Sequence, residues 1–228
     1  MADQKESYAV LGLGKFGMAL TMELVRNHQD VLVADADEHV INDIAHVVTR
    51  AVIADVTDEN ELRDLEIQNF DHVYVTLGKN VEGSIMTTML VKQLGAPDVI
   101  ARANNRNHSM VLQKIGADEV VEPEQDLARQ MIFRQLNPNV VNYVHITKNI
   151  TLAQVSVDNP RFFGKTLGDL DFRNKFHVNV IAIVDQNDEH LNQIPRATDV
   201  IRPHDQISVI GTSEDVNRAS ESLSQKHQ

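Results

Sequence analysis

The chain of 228 residues is long enough for one large domain or two modest ones. Its 21 Lys and Arg against 33 Asp and Glu give a formal net charge of −12, which disfavours binding to the polyphosphate backbone of nucleic acids. The lack of Cys excludes disulfides, thiolate metal sites and Cys nucleophiles, and it fits a reducing cytosol. The first residues lack the pattern of a secretion signal and no apolar run approaches roughly 18 residues, so we expect a protein that acts outside the bilayer.

Six short apolar runs rich in Val, Ile and Ala mark the first half of the chain. They recur every 20 to 25 residues, and the segments between them carry apolar residues at helical spacing, such as Met18, Met22 and Val25. Alternating strands and helices of this kind predict a parallel sheet that is covered on both faces. We therefore expect a Rossmann-type, doubly wound α/β domain. The centres of the predicted strands are Val10, Val33, Ile53, Val75, Ile100 and Val120.

The pattern changes after a helix that we expect to begin at Pro123, to continue to Leu136 and to end at residues 137–139. Beyond it, TLAQVSV alternates with period two, NVIAIVD and DQISVIG are short apolar runs, and HLNQIPRATDVIRP is rich in turn residues. These features predict a second, smaller α+β domain that ends with a polar helix in SEDVNRASESLSQKHQ. We place the boundary near Tyr143, which gives predicted domains of residues 1–143 and 144–228.

The sequence GLGKFG follows the first predicted strand and opens the first predicted helix. Gly12 permits a tight turn, Gly14 lets backbone N–H groups approach a diphosphate, and Gly17 allows the helix to pack closely on the strand. The helix N-terminus then offers free N–H donors and a partial positive charge to phosphates. This arrangement predicts a nucleotide site, and a glycine turn that serves packing alone is the alternative.

Asp35 ends the second predicted strand 23 residues after Gly12, where a carboxylate can bind ribose hydroxyl groups. Its charge would repel a 2′-phosphate, and neither Ala36 nor Asp37 offers a cation to bind one. We therefore do not expect NADP as a ligand. NAD, ATP, ADP and AMP remain.

Further polar residues end the neighbouring strands, at the edge where open α/β sheets bind their ligands. Asp55 and Thr57 are placed to meet an adenine edge, although Asp55 could equally cap the helix that starts near Asp58. Lys15 in the glycine turn could meet a phosphate, and a solvated surface role suits Lys15 and Lys79 equally well. The other predicted members of the site are Phe16, Gly78, Asn80 and Arg102.

Longer runs of the sequence resemble one known family. YAVLGLGKFG, VIADVTDENEL, LVKQLGAPDVIARANN and VLQKIGADEVVEPEQD resemble the RCK (KTN) regulatory domain, most closely that of the cytosolic subunits of Ktr-type bacterial potassium transporters. GKTLGDLDFRNKFHVNVIAI and IPRATDVIRPHDQISVIG resemble the small C-terminal RCK domain that follows it. The resemblance spans nearly the whole chain. KIGADEVVEPE is its most specific motif, because GxGxxG also occurs in many dehydrogenases.

This resemblance implies a cytoplasmic, regulatory ring of eight subunits, assembled from dimers and docked beneath a membrane-embedded potassium-translocating dimer. In the family, ATP and ADP occupy the Rossmann cleft and switch the ring between states, and NAD is a ligand of relatives. By motif position, the three glycines would hold phosphates, Asp35 would hold the ribose, and Arg102 would lie near the phosphates.

Two positions bear on how the resemblance applies to this chain. Glu124, in VEPE, corresponds to a carboxylate at the dimer interface, where a divalent cation such as Mg²⁺ or Ca²⁺ can bridge subunits. Close relatives often carry Arg in the glycine turn, where it reaches the γ-phosphate of a neighbour's ATP, but this chain has Lys15. Because Lys lacks the bidentate fork of Arg, the strength of ATP-over-ADP discrimination is left open.

The same family includes members whose C-terminal domains bind cyclic di-AMP across a dimer interface. An Arg beside a phosphate, with apolar residues against the adenines, suits such a ligand. The alternative is an ordinary dimer-interface helix in which Arg173 pairs with Asp171 or Asp169. The positions that match the family's site are Leu167, Asp171, Phe172, Arg173 and Pro195.

The sequence favours a nucleotide sensor over an enzyme. Five scattered histidines lack the spacing of a metal or proton-transfer site, and no GxxxxGK[ST] phosphate loop is present, so we expect no catalytic residues. An NAD-dependent oxidoreductase or NADH redox sensor would use the same cleft and is the competing interpretation, and a scaffold with an idle cleft is the third. We interpret each of the following as a surface or loop residue: His108, His145, His177, His190 and His204.

Overall fold

The computed structural model describes residues 6–136, 140–147, 149–185 and 191–224. The chain divides into two compact units, and the division lies between Asp126 and Leu127. The boundary that we placed near Tyr143 from the sequence therefore falls within the second unit as the structure divides the chain.

The first unit is built on a six-stranded parallel sheet in the order β3-β2-β1-β4-β5-β6. This order confirms the predicted Rossmann-type doubly wound sheet, and each predicted centre lies in a strand. The strands are β1 (Ser7–Leu11), β2 (Asp30–Asp35), β3 (Arg50–Ile53), β4 (His72–Val75), β5 (Val99–Arg102) and β6 (Glu119–Val121).

Helices cover both faces of this sheet, because successive strand residues bury their side chains on opposite sides. Val10 belongs to one apolar cluster with Ile41 and Ile44, whereas Ala9 and Leu11 belong to the other cluster. The helices are α1 (Lys15–Arg26), α2 (Glu38–Ile44), α3 (Glu59–Asp64), α4 (Val81–Gln93), α5 (Arg106–Lys114) and α6 (Pro123–Leu136).

Helix α6 has the bounds that the sequence predicted and contains the division between the units. The predicted stop signal at residues 137–139 lies outside the described residues.

The second unit is a smaller α+β domain with a five-stranded sheet in the order β10-β9-β11-β8-β7. Its strands pair antiparallel, and its core gathers buried residues such as Val155, Ile207 and Leu223. This confirms the predicted class of the second half. The elements are β7 (Val140–His145), β8 (Thr151–Ser156), α7 (Leu167–Leu170), α8 (Phe172–Phe176), β9 (Asn179–Val184), β10 (Leu191–Asn192), β11 (Gln206–Gly211) and α9 (Ser213–Leu223).

The last helix differs from its sequence interpretation as a polar helix. α9 buries Val216, Ala219 and Leu223 completely, so it is amphipathic and packs on the second core. The Thr212 side chain accepts a hydrogen bond from the Asp215 N–H and caps the helix. The predicted frayed end at residues 225–228 lies outside the described residues.

The topology brings the predicted site residues of the first half to one sheet edge. The chain leaves β1 toward β2 on one side of the sheet and reaches β4 on the other, so a crevice opens beyond the carboxyl ends of β1 and β4. None of the helices in the described parts of the chain has the length and apolar character that a membrane span requires.

Candidate functional site

The turn between β1 and α1, residues 12–17, has the geometry that its glycines predict. Gly12 has a φ of +95°, and a Cβ there would lie 2.8 Å from Cδ2 of Leu77. A Cβ at Gly17 would overlap the carbonyl oxygen of Gly12 and would lie 2.6 Å from Oγ1 of Thr76. The Thr76 hydroxyl donates to the same carbonyl over 2.5 Å and ties the turn to the end of β4, and the missing Cβ of Gly17 lets α1 lie close to the turn.

The middle glycine faces open space. Gly14 is the N-cap residue of α1, with no side-chain cap, and, apart from its chain neighbours and the backbone of α1, no atom lies within 4 Å of the position that its Cβ would take. The first N–H groups of a helix have no intrahelical partners, so the start of α1 presents donors to this space. An anion can approach here without displacing a side chain.

Asp35 lies beside this opening and holds the turn in place. Its Oδ2 accepts a hydrogen bond from the Leu13 N–H over 2.5 Å, and its Oδ1 accepts one from the Asp37 N–H over 2.9 Å. Each carboxylate oxygen retains a second lone pair. The partly buried carboxylate therefore remains able to accept hydrogen bonds from hydroxyl groups of a ligand.

Asp55 and Thr57 form a local turn on the next strand end. Oδ1 of Asp55 accepts hydrogen bonds from the Thr57 hydroxyl over 2.6 Å and from its N–H over 3.0 Å. These bonds lower the pKa of Asp55 below its ordinary value. Asp58 is the residue that caps α3, through the N–H groups of Asn60 and Glu61, so the alternative that Asp55 is the cap is wrong.

The end of β4 supplies a close approach and a helix cap. A Cβ at Gly78 would overlap Nη1 of Arg102, so the guanidinium lies directly on the glycine backbone. The Asn80 side chain caps α4 by accepting from the Gly83 N–H over 2.9 Å. That bond occupies one lone pair of the Asn80 amide oxygen and leaves its N–H₂ group as the side chain's donor.

Arg102 is held from three sides. Its Nη2 forms an ion pair with Oε1 of Glu124, its Cζ lies 5.8 Å from the ring centroid of Phe16, and Nη1 lies against Gly78. The side chain is 17% exposed, and Nε is buried without a hydrogen-bond partner among the described residues. A cation with unused donors therefore lies close to Phe16 of the glycine turn.

Lys15 and Glu124 are exposed charged residues that were predicted for the site. Lys15 is the first residue of α1, and Glu124 lies in the first turn of α6 with 65% of its side chain exposed. Within the described ranges, no group of three or more His, Asp or Glu residues is arranged to hold a metal ion. Glu124 thus contributes a single carboxylate, already paired with Arg102, and a cation there needs ligands from elsewhere.

In the second unit, the five predicted residues line one cavity of about 400 Å³. Nε of Arg173 donates to Oδ1 of Asn179 over 3.0 Å. Asp171 accepts hydrogen bonds from the Asn174 side chain, and Asp169 forms a capping box with Thr166. The alternative in which Arg173 pairs with Asp171 or Asp169 therefore differs from the observed pairing. The predicted residues that line the cavity are Leu167, Asp171, Phe172, Arg173 and Pro195.

Comparison with known proteins identifies both units. Residues 8–123 match the family model of the TrkA-N domain, and residues 152–224 match that of the TrkA-C domain. The chain belongs to the TrkA-N/TrkA-C family of RCK proteins. These matches confirm the resemblance to the RCK family that the sequence motifs indicated.

Curated relatives match almost the full chain. "Ktr system potassium uptake protein C" of Bacillus subtilis is 39% identical over 214 residues, which cover 94% of this chain and 96% of the relative. "Ktr system potassium uptake protein A" of the same organism is 35% identical over 215 residues, with the same coverage. Among solved structures, "GsuK channel bound to NAD" superposes with a TM-score of 0.63 at 19% identity and covers 98% of this chain and 40% of that chain. At that identity the superposition shows the fold alone.

One histidine of the TrkA-N unit lies in an environment different from the one that the sequence predicted. The interpretation of His108 as a surface or loop residue is wrong, because His108 lies in α5 and is 3% exposed. Burial lowers its pKa, and its Nδ1 accepts from the Asn104 N–H over 3.3 Å. His190 lies outside the described residues.

Two residues of the TrkA-C cavity were not predicted from the sequence. Asn179 and Arg196 line this cavity, and their only sequence signal is proximity to Arg173 and Pro195.

Proposed function

We propose that this chain is a nucleotide-sensing regulatory subunit of a potassium-uptake system. Its similarity to two Ktr system potassium uptake proteins over 94% of its length supports the assignment to such a system. The glycine turn, which leaves open space at the start of α1, supports the binding of a nucleotide.

One observation carries the nucleotide assignment: the open space above Gly14 lies next to the carboxylate of Asp35. A diphosphate would accept hydrogen bonds from the start of α1, and the adjoining ribose would donate hydroxyl protons to Asp35. Asp55 and Thr57, on the neighbouring strand end, would lie toward the adenine. The other predicted residues of the nucleotide site would border the phosphates: Gly12, Lys15, Phe16, Gly17, Gly78, Asn80 and Arg102.

ATP and ADP are the ligands that we propose for the cleft, with NAD as the third. Lys15 adds positive charge where a third phosphate would extend, whereas Arg102 borders the phosphates that ATP and ADP share. ATP and ADP would therefore favour different conformations of the subunit. The NAD named for the GsuK channel structure makes that dinucleotide a ligand to test on this chain.

A divalent cation would bind together with the nucleotide rather than before it. Glu124 supplies one carboxylate, and the phosphates would have to supply further oxygen ligands, as Mg²⁺ prefers. A second copy of the chain could contribute its own Glu124.

Cyclic di-AMP is the ligand that we propose for the TrkA-C cavity. Arg173 would meet a phosphate, and Leu167, Phe172 and Pro195 would pack against adenine. Occupation of this cavity would be independent of the nucleotide at Gly14.

We further propose that the chain forms a ring of eight subunits, built from dimers. The ring would act in the cytoplasm against a membrane-embedded potassium-translocating subunit. Size-exclusion chromatography with light scattering tests the ring, and a dimer would count against it.

A thermal-shift panel with ATP, ADP, AMP, NAD, NADP and cyclic di-AMP tests the ligands, with each nucleotide followed for turnover. Stabilisation by ATP and ADP without consumption supports the sensor. Oxidation of a substrate with NAD would instead favour the competing oxidoreductase, and the absence of any thermal shift would favour an idle scaffold.

A further inference from the structure

The ion pair between Arg102 and Glu124 joins a fixed cation to an exposed anion. The guanidinium is 17% exposed and is held against Phe16 and Gly78, whereas 65% of the Glu124 side chain is exposed. An exposed carboxylate regains water when it leaves the pair, but a largely buried guanidinium needs an anion in its place. The carboxylate is therefore the partner that can be exchanged.

A phosphate at the glycine turn would offer that replacement. Phe16, under the guanidinium, belongs to the turn itself, so Arg102 lies at the border of the space above Gly14. A phosphate presents several acceptor oxygens and can replace a carboxylate as the anion that pairs with a guanidinium. The Nη2 donor that bonds Glu124 is the one that a phosphate would compete for.

We propose that Glu124 is an intramolecular competitor of the nucleotide phosphates for Arg102. In the ligand-free chain Glu124 neutralises the guanidinium, and a bound phosphate takes its place and frees the carboxylate. This inference rests on the proposed nucleotide site and adds an exchange of ion-pair partners to it.

The exchange links the phosphates to helix α6. Glu124 is the second residue of α6, and its bond to Arg102 ties the first turn of that helix to the end of β5. When a phosphate replaces Glu124, this tie is lost. Helix α6 also contains the boundary between the two units. Loss of the ion pair therefore removes a restraint on the first turn of this helix.

The test is a calorimetric titration of ADP and of adenosine into the wild type and into Glu124→Gln, with EDTA present to remove divalent cations. If Glu124 competes with phosphate, Glu124→Gln binds ADP roughly two- to fivefold more tightly, as expected for loss of a partly exposed pair. Adenosine, which has no phosphate, binds both proteins equally. Glu82→Gln is the matched control, because Glu82 is an exposed carboxylate in the first turn of α4 and its loss removes the same charge.

A double-mutant cycle completes the test. In the Arg102→Gln background the gain from Glu124→Gln disappears, because no guanidinium remains to compete for. If ADP binds the wild type but Glu124→Gln leaves its affinity unchanged or weaker, the exchange is overturned and the nucleotide site stands. If the wild type binds neither ADP nor adenosine, the proposed nucleotide site fails and the exchange falls with it.

Discussion

The Leu13 backbone N–H donates a hydrogen bond to Oδ2 of Asp35 over 2.5 Å, so the carboxylate expected to bind ribose also fixes the glycine turn. The negative charge of Asp35 also determines which nucleotides fit the site. A 2′-phosphate on the ribose would lie beside this carboxylate and would be repelled by its charge.

We therefore expect the wild type to bind NAD more tightly than NADP, by roughly tenfold or more, since a like-charge contact in a partly buried site costs more than about 1 kcal/mol. Asp35→Asn narrows this ratio because it removes the charge. Competition between the two dinucleotides, followed by calorimetry, gives the ratio, and equal affinities for the wild type would contradict the argument.

Gly14→Ala and Gly17→Ala separate binding from packing. Gly17→Ala lowers the melting temperature by roughly 5 °C, since a Cβ there overlaps the Gly12 carbonyl and overpacking costs about 2 kcal/mol. Gly14→Ala has an allowed backbone conformation and open space around its Cβ, so the free protein keeps its stability. Its affinity for ADP falls roughly tenfold because the methyl group obstructs the phosphates.

Thermal denaturation and ADP titration of the two variants check this pair of outcomes. A destabilised Gly14→Ala, or a Gly14→Ala that binds ADP as the wild type does, would show that the space above Gly14 is not the phosphate site.

Lys15→Ala reduces the preference for ATP over ADP by roughly two- to fivefold, because an exposed ammonium near a third phosphate contributes about as much as a surface ion pair. ADP affinity itself changes little. The control is Lys114→Ala, which removes an equal charge from the last turn of α5, away from the edge that holds the site. Titrations with both nucleotides give the ratio, and an unchanged ratio would remove Lys15 from the sensing residues.

His72 makes the stability of the first unit depend on pH. Its Nδ1 lies 2.6 Å from Asp98, and its Nε2 lies 3.4 Å from Glu6. Burial acts to lower the pKa of His72, but the hydrogen bond and charge of Asp98, with the charge of Glu6, raise it above 6.5. The added stability is therefore fully present below 6.5 and is lost as the pH rises through the higher folded pKa.

His72→Gln should thus lower the melting temperature more at about pH 5.5 than at about pH 8.5. His39→Gln, at an exposed position of α2, is the control and should show no such difference. A difference in melting temperature between the wild type and His72→Gln that is larger at alkaline pH would contradict this prediction.

Arg173→Gln tests the cavity of the second unit. Loss of a guanidinium that meets a phosphate should weaken cyclic di-AMP binding roughly tenfold or more, as expected for a hydrogen bond to a charged group. ADP affinity should stay the same. Lys175→Gln, on the same helix α8, is the charge-matched control. Binding of cyclic di-AMP that survives Arg173→Gln would place this ligand elsewhere.

The sequence predicted the parallel sheet well because each of its strands is a local apolar run followed by a helix, as at Val10 and Val33. Strand β7 escaped prediction because it is defined by antiparallel pairing with β8, and VVNYVH has no strict alternation. The ion pair between Arg102 and Glu124 was not predicted for a similar reason. Both residues were predicted for the site, but adjacent strands β5 and β6 bring them together, and no local pattern records that register.

The cap of α3 shows the limit of local reasoning in another way. Asp55 and Asp58 both precede the helix, and the sequence alone did not decide between them. In the structure Asp58 accepts the first helical N–H groups, while Asp55 bonds Thr57. The choice depends on the turn that leaves β3, because each carboxylate satisfies the backbone donors nearest to it.

The most direct measurement is a calorimetric titration of ADP into the wild type, Asp35→Asn and Asp37→Asn. Asp37 caps α2, and Asn is an equally good cap, so Asp37→Asn removes a neighbouring charge and keeps the fold. We predict one ADP per chain in the wild type, affinity unchanged in Asp37→Asn, and affinity reduced roughly tenfold or more in Asp35→Asn. No binding to the wild type, or equal binding to all three proteins, would contradict the account.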